Sequence, residues 1–160
     1  MSSNSLPALI DSYLAGPRLL RAAVEGMTRD QLLARPVPGT WSTLEVVAHL
    51  ADFDPILAER MKRILALERP TLLVADENRF VTALAYADRD VQEELAILDV
   101  TRSQMARILR TCPPDALQRV GVHSERGEMT LERVLTAAVN HIPHHLAFIR
   151  AKRQALGLPE

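Results

Sequence analysis

An all-α domain of four long helices is what this sequence predicts, and three observations carry that reading. First, almost half of the 160 residues are apolar but only 4% are aromatic, so Leu, Ala, Val, Ile and Met must fill the core. That supply suits helices better than strands. Second, four stretches repeat their apolar residues at helical spacing. Third, side-chain caps and Pro or Gly breaks stand between those stretches. A chain of this length fits one domain, here taken as residues 1–160.

The first helix begins near Ser5 or Leu6 and runs to about Glu25, with Leu6, Leu9, Ile10, Tyr13, Leu14, Leu20 and Val24 in its pattern. Gly16-Pro17 interrupts this helix and predicts a bend there, and Gly26 predicts a stop. Thr28 and Gln31 form a capping box that opens one short turn of helix, before a Pro-rich loop at 35–39. The second helix has the clearest start: Ser42 stands three residues before Glu45, so each side chain can satisfy the other's free backbone N–H. It runs to about Glu68, and Val46, His49, Leu50, Phe53, Leu57, Arg60 and Ile64 share one broad face, with a kink expected at Pro55.

Residues 69–88 are a long connection with a short helix near Asp76–Leu84. A connection of that length either joins antiparallel neighbours or carries the chain back along the bundle, making the second and third helices parallel. The third helix starts at Asp88 or Asp90, carries Leu95, Leu98, Met105, Ile108 and Leu109, and ends at Thr111-Cys112-Pro113-Pro114. Residues 115–129 read as a loop with turns at Gly121 and Gly127. The fourth helix follows a Thr130 cap and runs to about Ala155, with Gly157 as its stop and cations in its last turns.

Three of the five histidines fall within five residues: His141, His144 and His145. Positions i and i+4 of a helix lie about 40° apart in projection and one turn apart in height. His141 and His145 can therefore meet one metal ion; His141 with His144 is the weaker pair. His49 lies among apolar residues of the second helix, where its ring nitrogens need a partner, and a metal shared with the fourth helix supplies one. The simpler reading of a lone histidine on an apolar face is a hydrogen-bonded core residue. Asp52 is placed to hold an imidazole in one tautomer, although a solvated carboxylate is its plainer role. His123 and His144 are expected at solvent or in a loop, and Trp41 is expected to plug the bundle end.

Other classes are excluded by what is missing. There is no HExxH, no Glu-x-x-His, no P-loop, no GxGxxG and no GxSxG. Mixed charge with a net of −1 and no basic stripe argue against nucleic acid. No signal peptide or membrane span is expected, and a cytoplasmic location follows by default. Cys112 stands alone, so no internal disulfide forms, and no histidine beside it in sequence marks it as a nucleophile.

The segments PGTWSTLEVVAHLAD (38–52), HSERGEMTLERVL (123–135) and HIPHH (141–145) occur in an order and spacing that resembles the DinB/YfiT-like superfamily of metal-dependent enzymes. The likeness covers roughly residues 6–155. It implies an up-down four-helix bundle with a long crossover after the second helix, and a three-histidine site for zinc, nickel or a similar divalent ion. By matching position the ligands are His49, His141 and His145. Two departures stand out: Pro143 lies between the paired histidines, and Phe148 occupies a position where relatives often carry another histidine. The resemblance implies hydrolysis, or transfer of a cellular low-molecular-weight thiol to a small-molecule substrate, and a homodimer, with Leu9 and Leu19 of the first helix as candidates for its face. A non-catalytic binding or dimerisation module is the alternative.

Overall fold

The computed structural model describes residues 5–159. Each long helix begins where a short polar side chain can take the place of a missing carbonyl. Ser5 caps α1 (Leu6–Val24), Thr28 and Gln31 form a reciprocal box on α2 (Arg29–Leu33), and Ser42 and Glu45 form another on α3 (Thr43–Ala66). In that second box the Ser42 N–H donates to Glu45 at 2.7 Å and the Glu45 N–H donates to Ser42 Oγ at 3.1 Å. Asp90 caps α5 (Val91–Arg110) and Thr130 caps α6 (Leu131–Ala155). Gly157, at φ +68°, closes α6 in the left-handed conformation that a glycine adopts without strain.

The crossover between α3 and α5 contains α4 (Glu77–Ala83) and a 3-10 turn at Tyr86–Asp88. It carries the chain back along the bundle. Asp54 pairs with Arg102 and Lys62 with Gln104, so residue numbers rise together in α3 and α5 and the two are parallel. Gly16 lies beside Ile142 and Arg153 donates to the Ala23 carbonyl, so α1 and α6 are also parallel. Arg21 reaches Asp99 while Arg102 reaches Tyr13, which makes α1 and α5 antiparallel. The order is up-down-down-up. α1 and α3 each pack on α5 and α6 and occupy opposite corners.

Three points depart from the sequence reading. Residues 115–129 are not simply a loop: after a 3-10 turn at Pro114–Gln118 they form β2 (Val120–His123) and β3 (Gly127–Thr130). β2 pairs antiparallel with β3 and parallel with β1 (Thr71–Leu72). Gly121 belongs to the strand, because a Cβ there would sit 2.9 Å from Leu72 Cδ1 and 3.0 Å from Ile64 Cγ1. Leu9 is core, at 3% exposure, and does not belong to an outer face; of the α1 leucines named for one, Leu19 alone is exposed. Finally, α1 is not interrupted at Gly16-Pro17 but continues through it as one helix.

The last point has a cause. Proline has no N–H to give the carbonyl four residues back, here that of Tyr13. Arg102 Nη1 donates to that carbonyl at 2.7 Å. Gly16 makes room, since a Cβ there would stand 2.3 Å from Nη1. Arg102 is fully buried, grips Asp54 through Nε and Nη2, donates to the Ala138 carbonyl at 2.9 Å and lies over the Tyr13 ring. This layer divides the apolar interior. Below it lie Ile10, Met61, Met105 and Val134; above it lie Leu20, Val47, Leu98 and Ile149.

Candidate metal centre

Above the Arg102 layer, α3 and α6 run antiparallel and face each other across a groove. His49 lies within the first two turns of α3 and is buried at 1% exposure. It meets α6 at His141 and His145, whose i, i+4 spacing sets both rings toward it. The ring centroids of His141 and His145 lie 4.9 and 4.8 Å from that of His49. One nitrogen from each of the three histidines falls within 4.8 Å of the other two. Pro143 does not disturb the pair: α6 is continuous through it and it lies on the exposed face. His144 is exposed and outside the cluster, so the weaker His141–His144 pairing is not formed. Phe148 is largely exposed, with its ring against His144 and His145.

Hydrogen bonding within the protein cannot satisfy this cluster. His49 Nε2 faces His141 Nε2 at 3.0 Å. A neutral imidazole carries one proton, so the ring accepting at Nε2 must carry its own on Nδ1. Both Nδ1 atoms are buried without a partner. Burial also pushes the rings toward neutrality. His49 is lowered to about 4 by burial, against the pull of Asp52. His141 is lowered to about 3, by burial and then by His49, His145 and Arg102; His145 is lowered to about 4, by burial and then by His49, His144 and Lys152. Neutral rings with converging lone pairs are the donor set that divalent zinc or nickel takes, and these three residues fit such an ion.

Asp52 does not hold an imidazole. It forms a two-pronged pair with Arg89 at 2.7 and 2.8 Å, and Arg89 also reaches Glu94 at 3.1 Å. That network pins the end of the crossover to α3. His123 is not at solvent: it is 4% exposed, and its Nδ1 accepts from the Glu125 and Arg126 backbone N–H groups. Trp41 packs within 5.1 Å of the His49 ring and closes one wall, as a plug at the bundle end should. Cys112 lies just past the C-terminal end of α5, with its Sγ–H donating to the Ile108 carbonyl at 3.4 Å, outside this groove.

The residue that the sequence did not mark is Glu77. It opens α4, which the crossover lays over α3, and its Oε2 lies 3.8 Å from His49 Nε2. Its side chain stays 55% exposed and therefore open to a ligand. Phe80 of the same helix packs on Phe53 at 5.2 Å and makes an apolar wall. Together α3, α4, α6 and the β2–β3 turn enclose a cleft of about 930 Å³ that includes His49 and His141.

A three-histidine groove on a bundle whose second and third helices run parallel defines a class, and the chain belongs to it: residues 13–149 match the model of the DinB superfamily. Among curated proteins it is similar to "Putative metal-dependent hydrolase YfiT" of Bacillus subtilis, 32% identical over 142 residues that cover 88% of this chain and 80% of that one. A Bacillus licheniformis protein, also named as a putative metal-dependent hydrolase, is 30% identical over 142 residues, covering 88% and 81%. The solved structure of Bacillus subtilis YfiT, described as having "an unusual four-helix bundle topology", superposes with a TM-score of 0.91 at 29% identity, over 99% of this chain and 91% of that one. Among the described residues no helix is long and apolar enough to cross a membrane.

Proposed function

We propose that this chain is a metal-dependent hydrolase of a small molecule, holding one divalent ion, zinc or nickel, with His49, His141 and His145. The observation that carries the reading is the convergence of three imidazoles on one point, His49 buried and His141 and His145 half-buried, with the Nδ1 atoms of His49 and His141 left without a protein partner. The names of the relatives support it. An ion held by three uncharged ligands supplies Lewis acidity toward a water or a thiol.

The chain's own residues supply the remainder. Glu77, whose Oε2 lies 3.8 Å from His49 Nε2 at the open side of the histidines, is the carboxylate that would take the proton from the attacking water, directly or through one water, and pass it to the leaving group. Trp41, Phe53 and Phe80 exclude bulk water from one side. Cys112 takes no part.

The test begins with metal analysis of purified protein. Wild type carries one ion per chain, and His49→Ala, His141→Ala and His145→Ala lose it; unchanged stoichiometry in all three removes the assignment. Glu77→Gln keeps the ion but loses about 10²- to 10⁴-fold in hydrolysis of simple esters and amides, the usual contribution of a general base. Loss of metal in that variant would make Glu77 a ligand instead. Transfer of a cellular thiol to an electrophile, with no hydrolysis, would replace the reaction while keeping the site. Neither activity, before or after chelation, would leave a non-catalytic module.

A further inference from the structure

We propose that the substrate carries an oxyanion, a carboxylate or a phosphate, and that Arg60, Arg126 and His123 bind it at the end of the cleft away from the three histidines. This rests on the preceding reading for what happens at the histidines, but the anion site itself does not depend on a metal.

All three residues line the same cleft as His49 and His141. Arg60 shares the α3 face of His49, Phe53 and Leu57. Its Nη2 donates to the Leu73 carbonyl at 2.6 Å, which fixes the guanidinium in place. Its Nε–H is buried and has no acceptor, a costly state for a cationic group that five donors could otherwise resolve. No carboxylate among the described residues lies within ion-pair distance of Arg60 or of Arg126; Glu59 pairs with Arg63, Asp76 with Arg79, and Glu125 with neither. Arg60 is pulled below the usual arginine range by burial and then by the charge of Arg126. Burial and then both guanidiniums push His123 down as well. With Nδ1 accepting two backbone N–H groups, the His123 proton belongs on Nε2, so the ring is a third donor. Two like charges and a neutral donor gathered without an acceptor form a site short of one anion, and a fixed guanidinium is the group that suits planar oxyanions.

The spacing sets the ligand's length. Arg60 follows His49 by eleven residues, about 16 Å along a helix axis, and helical side chains lean back toward the N-terminus. The substrate is therefore elongated, with its anionic end on the order of 10 Å from the bond that reacts.

The probes are inorganic phosphate and glutarate, titrated at low salt into chelated, metal-free protein while the arginine Nε–Hε signals are followed by NMR. A saturable shift of the Arg60 signal is expected with at least one probe. Phosphate alone identifies a phosphoryl group, glutarate alone a carboxylate, and both an unselective oxyanion site. Arg126→Gln, in an exposed turn where folding is not at stake, should weaken the binding at least tenfold while leaving metal content at the wild-type level. His145→Ala should bind the probes as wild type does, so a failed metal assignment and a failed anion site give different results. No saturable shift with either probe, or wild-type affinity in Arg126→Gln, overturns the proposal.

Discussion

Two buried polar clusters sit within two turns of each other on α3 and α6, and they are built to opposite rules. In the Arg102 layer the charges answer one another: Asp54 takes three contacts from the guanidinium, and the remaining donors find the Tyr13 and Ala138 carbonyls. In the histidine cluster the rings face one another and two buried nitrogens have nothing. Burial disfavours charge in both places, raising the Asp54 carboxyl as it lowers the imidazoles, but Arg102 opposes it at Asp54. A buried polar group that the fold has satisfied holds the fold together. One that the fold leaves open marks where something else binds.

The contrast yields measurable consequences. Arg102→Met strands a buried carboxylate and should cost about 3–5 kcal/mol of stability in urea unfolding, the usual result of breaking one side of a buried pair. A cost below about 1 kcal/mol would mean that the layer is less closed than its contacts indicate. The histidine cluster should respond to metal instead. Zinc or nickel at about a hundred times its dissociation constant should add about 2.7 kcal/mol to chelated wild type, with no gain in His145→Ala. An equal gain in both would place the ion elsewhere.

Gly16→Ala sharpens the first arm, because its methyl would meet Arg102 Nη1. About 1–3 kcal/mol should be lost, as for other overpacked cores, and metal content should stay the same. Ser42→Ala removes a cap from α3 and should cost about 1 kcal/mol; an unfolding curve matching wild type would count against the capping box. Cys112→Ala should change neither bound metal nor activity, and a loss of either would overturn its exclusion from the mechanism.

Local chemistry made much of this legible in the sequence. The boxes at Thr28–Gln31 and Ser42–Glu45 lie within four residues of themselves and appear as read. So does the His141–His145 pair, since a helix converts spacing into direction. The length of the 69–88 connection raised a parallel second and third helix as one of two readings, and the structure has it. What could not be read depends on partners far along the chain. Asp52 is taken by Arg89, thirty-seven residues away, rather than by an imidazole three residues away. The strands of 120–130 are four residues each, too short for a pattern of alternation, and their interior glycine reads as a turn until Leu72 is seen against it. Glu77 and the Arg60–Arg126 pair exist as features only once the crossover and the hairpin are laid beside α3.

The up-down-down-up order also bears on how the chain folds. In a plain up-down bundle each helix turns back on its predecessor, so hairpins of neighbouring helices can form early. Here α1 and α3 stand at opposite corners, and α3 and α5 touch but run parallel. The antiparallel partners are α1 with α5 and α3 with α6, each pair separated by a whole intervening helix. No two consecutive long helices form an antiparallel hairpin, and the one consecutive pair that packs together, α3 with α5, is joined by the long crossover, so loop-closure entropy must be met before these interfaces form. Relative contact order rises accordingly, and refolding should run slower than the microsecond-to-millisecond range of simple helical bundles. Stopped-flow refolding of the metal-free chain would read that cost directly, and the Arg102 layer, which joins all four helices, is where the slow step should be felt.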